Sequence, residues 1–514
     1  MMLYRVCCGL IGFSGALFCI FSLCSPVRMI CLPIVGVLLA VLVGIGGRSL
    51  VDDVAARAER HPMRIFVLIA LFAVALRMLY SMMIPNLEAV QGRDAMVFLQ
   101  YAGKMAHGEF PAVKSWGICL VHAVRIKLFG SSLLSVPFVN FVFQLLGAWC
   151  LTKAIRCFQN WFVAIGVAAV YLLSPSSAFL TFKAASEPLF FFFVFASMWA
   201  LIRLALSRSL LDAVAFAILV WLSIWTRGEG VLLFGALLAV FGGIAVTSHR
   251  LLMRNRCVAK LLIVAGMSLA FAAAAYRINV IYHHEKTFFC SNDSYWPRLC
   301  GCNLSTDGRL RLQGRRAKRE ARGESRHKQF IVSRYLADHP DDPGGYIANM
   351  TPQTCPQVLV PYIREEIDRR WRAMDTKTMF CFIVRKLWYP FCNAWPSDRQ
   401  NKVMPESMVL WRFLHEFLPT CVFALGAVAF FRMLVEACCG ECRLSLRPVL
   451  SSIPCVYMLG MVCVVAIGES NLRYGLISTF LMAYYALEAI TTIPTPIRRQ
   501  PGESDVLNCH EKVR

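Results

Sequence analysis

Runs of about twenty apolar residues recur along almost the whole chain, and no other feature limits its folding so severely. Segment 230–247 holds no charged residue, and segment 65–84 holds only Arg77. A helix crosses the ~30 Å hydrocarbon core of a bilayer with ~20 such residues. Helices and closed barrels alone satisfy their backbone polar groups there. Twelve candidate spans lie near 5–24, 29–46, 65–84, 132–152, 161–174, 179–202, 210–225, 230–247, 259–281, 409–434, 449–467 and 474–490. The fifth, seventh and last are short, so the expected fold is an all-α polytopic membrane protein of about twelve transmembrane helices with an extracytoplasmic loop region. Composition agrees. Of 514 residues 58% are hydrophobic and 16% charged, and mean hydropathy is +0.57. That excludes an ordinary soluble enzyme and a disordered chain. A signal peptide is the rival reading of the first span, but Arg5 makes a thin basic region and no clean cleavage site precedes Pro26.

Basic residues outnumber acidic ones by 53 to 31, a formal net charge of +22. In a membrane protein such an excess is first tested against the positive-inside rule. Arg48, Arg57, Arg60 and Arg64 follow the second span; Lys153 and Arg156 the fourth; Arg203 and Arg208 the sixth; Arg250, Arg254 and Arg256 the eighth. Arg443 and Arg447 precede the eleventh, and Arg498, Arg499, Lys512 and Arg514 lie in the tail. With twelve spans these segments share the side of the N-terminus, so both termini are expected in the cytoplasm. The expected organisation is a bundle over 1–281 with its first external loop at 85–131, an extracytoplasmic region 282–408, membrane helices over 409–491 and a cytoplasmic tail 492–514. The basic stretch around Gly314–Arg319 strains this assignment, and losing two short spans would move 282–408 inside. Cys290, Cys300, Cys302 and Cys355 lie in that segment; disulfides or free thiols fit better than zinc, because Cys300-Gly301-Cys302 lacks a metal-knuckle spacing. Asn292, Asn303 and Asn349 open glycosylation sequons that matter only in a lumenal compartment.

Ionisable residues beside spans are costly and mark sites by default. Asp94, in Gln91-Gly92-Arg93-Asp94, precedes an amphipathic stretch from Met96 to Phe110 and is expected at the start of a surface helix. It is either a dipole-stabilised helix acid or a general base. Glu187, between Ser186 and Pro188, precedes the run Leu189–Val194; Pro188 suits a broken span, with Lys183 as the obvious local partner. Thr226-Arg227-Gly228-Glu229-Gly230 joins two spans on the outer side, where Arg227 either holds a phosphate oxygen or pairs with Glu229 in a plain turn. Glu469 and Arg473 open the last span and are spaced to pair along one helix face. Singly none of these outweighs its structural reading. Together they place an acid and two arginines at one interface, which suits a polyanionic lipid-linked substrate.

With these residues the chain resembles the GT-C membrane glycosyltransferases, in particular the clan of polyprenyl-phosphate-sugar transferases that includes protein O-mannosyltransferases and aminoarabinose transferases. Arg93-Asp94-Ala95 through Gly108-Glu109-Phe110-Pro111 is similar to the clan's first external loop. Leu128-Phe129-Gly130 resembles the start of its next span. Ser174-Pro175 with Ser186-Glu187-Pro188, then Arg227, then Glu469 with Arg473-Tyr474, follow the clan's order over positions ~90–475. A single Asp94 stands where the clan often has two adjacent acids, and a two-span hairpin precedes the loop. The resemblance implies an inverting transfer of sugar from a polyprenyl-phosphate donor to a hydroxyl on a glycan, lipid or protein acceptor outside the cytoplasm. Asp94 would be the catalytic base, and Arg93, Glu187, Arg227, Glu229, Glu469 and Arg473 substrate-binding. No metal, no cofactor and no nucleic-acid partner is expected. The membrane would be a bacterial inner membrane or the endoplasmic reticulum. Two rivals remain: a transporter or flippase, which calls for inverted repeats and helices broken at the midplane, and a glycan polymerase or ligase of envelope assembly.

Overall fold

The computed structural model describes residues 2–24, 26–44, 47–84, 86–109, 115–206, 209–247, 251–283, 409–439, 452–467 and 474–492, with isolated residues between 334 and 379. Among these every regular element is helical: α1 (Met2–Leu23), α2 (Pro26–Gly44), α3 (Gly47–Arg60), α4 (Pro62–Met83), α5 (Leu87–Ala106), α6 (Trp116–Phe129), α7 (Ser135–Arg156), α8 (Trp161–Leu173), α9 (Pro175–Thr181), α10 (Glu187–Leu206), α11 (Leu211–Thr226), a 3-10 turn (Gly228–Val231), α12 (Leu232–Thr247), α13 (Leu251–His283), α14 (Val409–Cys439), α15 (Ile453–Ile467) and α16 (Tyr474–Thr492). Six of them, α1, α4, α7, α10, α13 and α14, contain stretches long and apolar enough to cross a bilayer. The α8–α9 pair, bent by 55°, makes a seventh, and shorter apolar helices occupy the remaining expected spans. Lipid-facing surface is visible on α4, where Leu68, Leu71, Phe72 and Met78 are all exposed. The chain is therefore an all-α, multi-pass membrane protein.

Local signals set the helix ends. Asn160 caps α8 by accepting from the Val163 amide at 2.9 Å, and Pro62 opens α4, where its missing N–H costs nothing. Pro175 cannot continue α8, so the helix stops at Leu173 and restarts in a new direction as α9. The sixth span, expected from residue 179, begins instead at Glu187: residues 175–181 belong to the short bent helix, and 182–186 form an elbow.

Close packing uses glycines where backbones meet. In α1 a Cβ at Gly12 would lie 2.9 Å from the Leu434 amide nitrogen, and one at Gly15 would strike the Phe430 ring, so the first helix lies directly on α14. In α7 a Cβ at Gly147 would lie 3.3 Å from Phe192 Cα of α10. The centre of the bundle is aromatic. The buried Tyr171 ring of α8 meets Phe480 of α16 at 4.9 Å and Phe195 of α10 at 5.3 Å, both edge to face.

The segment between α4 and α7 forms a helical pair. Helices α5 and α6 share a core of Ala102, Met105, Ile118 and Cys119, and they rest on α10 through Leu189. Asn86 caps α5 by accepting from the Glu88 amide at 2.8 Å. The helix thus starts at Leu87, and Asp94 lies two turns inside it. This corrects the expectation of Asp94 as a helix-start acid; the acid of the first turn is Glu88.

Candidate functional site

The elbow between α9 and α10 exposes backbone groups that no helix satisfies, and side chains from three helices take them up. Gln91 of α5, fully buried, donates to the Phe182 carbonyl at 2.8 Å and accepts from the Ala184 amide at 2.8 Å. Asn140 of α7 donates to the carbonyls of Thr181 and Lys183 at 3.0 and 2.7 Å. Gln144, one turn further along α7, donates to Ser177 O at 2.8 Å. Arg77 of α4 reaches into the break itself, donating to Leu172 O at 3.0 Å, Thr181 Oγ1 at 2.9 Å and Gln144 Oε1 at 2.7 Å. Its guanidinium also lies over the Phe141 ring at 4.7 Å. Backbone freed inside a membrane must find such partners. Pro175 creates the need, and Arg77, Gln91, Asn140 and Gln144 meet it.

The elbow delivers Glu187 to the start of α10, 1% exposed, where its Oε1 lies 3.0 Å from Arg227 Nη1. Arg227 follows the last residue of α11 in extended conformation (φ −155°, ψ 135°), which turns its side chain out of the helix line. Its Nη2 meets Glu229 Oε1 at 3.0 Å, and Nε reaches Glu229 Oε2 at 3.4 Å. Nη1 also lies 3.4 Å from Ser186 Oγ, and the guanidinium carbon sits 5.7 Å from the Phe190 ring centre. Gly230 closes the turn: a Cβ there would lie 2.7 Å from the Ile224 amide nitrogen, too close for any other residue. Arg227 is thus a guanidinium spanned by two carboxylates, one buried and one at 13% exposure. The Arg227–Glu229 pair expected of a plain turn is present, but it is largely shielded from solvent and is joined by Glu187 from α10.

Helices α5 and α6 pack against the two helices that carry this cluster. A Cβ on Gly117 of α6 would come within 2.6 Å of Thr226 Oγ1, so α6 starts against the end of α11. Ala95 of α5, Val136 and Ala184 form one buried contact. The residue that follows Asp94 in the chain, Ala95, is thereby packed on Ala184 of the elbow, and Arg93 is on the same helical turn. Glu469 and Arg473 lie outside the described residues, as do Cys290, Cys300, Cys302 and Cys355. Among the described residues no group of three or more His, Cys, Asp or Glu is placed to hold a metal ion.

Several residues of the site went unread in the sequence. Arg77 carried a signal, as the lone charge of its span, and Asn140 with Gln144 carried another, an i,i+4 polar pair on an otherwise apolar helix. Tyr457 of α15 carried none. It is fully buried, its hydroxyl has no hydrogen-bond partner among the described residues, and it lies within electrostatic reach of Glu229 and Arg227. Gly460, one turn on, meets Leu232, which fixes α15 against the end of the 228–231 turn. His122 of α6 is also fully buried with both ring nitrogens unpartnered. Burial, with the Arg125 charge adding to it, pushes its pKa down to about 3.

Fold and site together define a polytopic helical membrane protein with a buried ionic cluster between α10 and α11, next to α5 and α6. No protein-family model and no curated protein matches the sequence. Among solved structures the chain is similar to an archaeal oligosaccharyltransferase, AglB from Archaeoglobus fulgidus, in complex with an inhibitory peptide and a dolichol-phosphate. The TM-score is 0.47 at 11% identity, over 83% of this chain and 50% of that one, so the chain spans about half the length of that protein.

Proposed function

We propose that this chain is a GT-C-type glycosyltransferase that moves a sugar from a polyprenyl-phosphate donor to an acceptor hydroxyl on the extracytoplasmic face. The observation that carries the reading is the convergence at the elbow. Gln91, three residues before Asp94, holds the Phe182–Ala184 backbone, which leads directly to Glu187 and its bond to Arg227. A carboxylate-bearing external helix and a charged cluster from two membrane helices thereby meet at one end of the bundle.

In this reading the acceptor oxygen attacks the anomeric carbon with inversion while Asp94 takes the hydroxyl proton. The bond from that carbon to the phosphate oxygen breaks, and its electron pair leaves on the polyprenyl phosphate. The resemblance gives the leaving phosphate to Arg227 and Arg473; with Arg227 already held by Glu187 and Glu229, Arg473 carries that role in this reading. Glu187, Arg227 and Glu229 line the donor headgroup, and Arg93 and Glu469 also serve substrate binding. The reaction is metal-independent and unaffected by chelator. The extracytoplasmic domain is 282–408, the termini are cytoplasmic, and the membrane is a bacterial inner membrane or the endoplasmic reticulum.

One feature is shared with the transporter reading, the helix broken between α8 and α9. Transporter breaks line a substrate cavity. Here Arg77, Asn140, Gln144 and Gln91 occupy the freed backbone groups. The test is transfer by the purified full chain in nanodiscs from radiolabelled polyprenyl-phosphate and polyprenyl-pyrophosphate sugars, in parallel with Asp94→Asn. Transfer from the phosphate donor, reduced ~10²–10⁴-fold in the variant with donor affinity kept, is the expected result. Transfer from the pyrophosphate donor alone would favour the polymerase or ligase reading. Near-wild-type transfer by Asp94→Asn would remove it as the base.

A further inference from the structure

We propose that Tyr457 and the Glu187–Arg227–Glu229 cluster form the pocket for the sugar ring of the lipid-linked donor, with the Tyr457 hydroxyl bonding directly to a sugar hydroxyl. This rests on the reading above and assigns the cluster to the sugar rather than to its phosphate. The argument starts from the phenol. A tyrosine hydroxyl buried in a membrane protein ordinarily finds a partner, because leaving it unpaired forfeits its bonds to water. Tyr457 is fully buried, and its hydroxyl is unpaired among the described residues. The contact of Gly460 with Leu232 keeps α15 tight against the turn that carries Glu229, so the ring is set in place rather than loosely packed. A polar group kept unpaired at a rigid position next to an ionic cluster is arranged for something that arrives.

The chemistry around it fits a sugar. Each sugar hydroxyl both donates and accepts. Carboxylates take the donated protons, while a guanidinium and a phenol supply donors to the oxygens. Glu187 and Glu229 each hold Arg227 at 3.0 Å, so the three groups present this mixed pattern already ordered. Glu229 and Arg227 remain 13% and 14% exposed, open to a ligand from the loop side. A phosphate would meet two carboxylates at this place, whereas a neutral ring meets acceptors and donors together.

The experiment measures binding and transfer separately, on the full-length chain in nanodiscs. Scintillation proximity gives dissociation constants for polyprenyl phosphate alone and for polyprenyl phosphates carrying glucose, mannose, galactose or N-acetylglucosamine. The wild type is expected to bind at least one glycosylated lipid more tightly than the bare lipid. Tyr457→Phe, which keeps the ring, is expected to weaken that glycosylated lipid about fivefold, leave the bare lipid unchanged, and melt no lower than wild type because it removes an unpaired hydroxyl. Equal weakening of both lipids, no weakening of either, no preference for any glycosylated lipid in the wild type, or a lowered melting temperature would each overturn the pocket. The reading of function fails on a different result. Selective binding that depends on Tyr457, without transfer to any acceptor, keeps the pocket and sinks the transferase. Transfer without selective binding does the reverse.

Discussion

The Glu187–Arg227 contact can be measured without knowing any substrate. Its partners come from helices forty residues apart, and it lies 3.0 Å long in a site where Glu187 is 1% and the Arg227 side chain 14% exposed. At an effective dielectric near 20, two unit charges at that distance attract by about 5 kcal/mol. Desolvation of both groups takes back much of this, and breaking such a pair from one side typically costs ~3–5 kcal/mol because a buried charge is left behind. Glu187→Gln keeps the hydrogen-bonding shape and should cost about 2 kcal/mol; Arg227→Met, which also releases Glu229, should cost more. Glu187→Gln with Arg227→Met together should cost less than the two single changes added, with a coupling of roughly 1.5–3 kcal/mol. Reversible unfolding of the full chain in mixed mild-detergent and dodecyl sulfate micelles reads all four proteins. A coupling below about 0.5 kcal/mol would mean that the two side chains do not meet, and the assembly of the site from α10 and α11 would fall with it.

Gln91→Leu should destabilise by about 2–4 kcal/mol, since it leaves the Phe182 carbonyl and the Ala184 amide buried without partners; wild-type unfolding would show that the elbow does not depend on α5. His122 has a folded pKa depressed to about 3 from 6.5, so the unfolded chain binds a proton first, and stability present above pH 6.5 should fall as pH drops toward 3. His122→Leu should flatten that dependence, and parallel inactivation midpoints at pH 7.5 and 5.5 would reveal an unchanged slope if the ring is in fact hydrated. Reporter fusions after residues 57, 255, 445 and 510 should read as cytoplasmic, and those near 100, 330 and 470 as external. A cytoplasmic signal at 330 would put segment 282–408 on the wrong side for acceptor binding.

Why the spans were legible and the site only half so follows from the range of the forces involved. An apolar run of eighteen or more residues signals its environment locally, and α1, α4, α7, α10, α13 and α14 fall where those runs stand. Span parity then carried Glu187 and Arg227 to one side of the membrane, although nothing in the sequence joins positions forty apart. The pair itself is a tertiary event, and the local spacing pointed instead to Lys183. The amphipathic spacing that begins at Met96 points to a helix start at Asp94, whereas the actual start is written in Asn86 and Glu88, a cap with an acid in the first turn. The sixth span was drawn from 179 because Phe179, Leu180 and Phe182 are as apolar as any membrane residue. Their place is nevertheless in a short bent helix and an elbow, where Phe179 and Phe182 pack on Tyr80 of α4.

That displacement has a physical consequence for the site. If α10 had begun at 179, helical hydrogen bonds would have taken up the carbonyls of Thr181, Phe182 and Lys183, and the side-chain amides of Gln91 and Asn140 would have lost those partners inside the bundle. Instead Pro175 interrupts the helix and Pro188 stands second in the next, so the elbow between them must be held from outside. Holding it fixes α5 to the bundle through a glutamine three residues from Asp94, and aims Glu187 across at Arg227. The polar residues that look out of place in apolar spans are therefore what ties the external helices to the ionic cluster. A proline-to-alanine change at 175 should test this directly. By letting α8 run on, it should loosen the elbow and weaken the Glu187–Arg227 coupling, even though neither charged residue is touched. An undiminished coupling in Pro175→Ala would show that the cluster forms independently of the break.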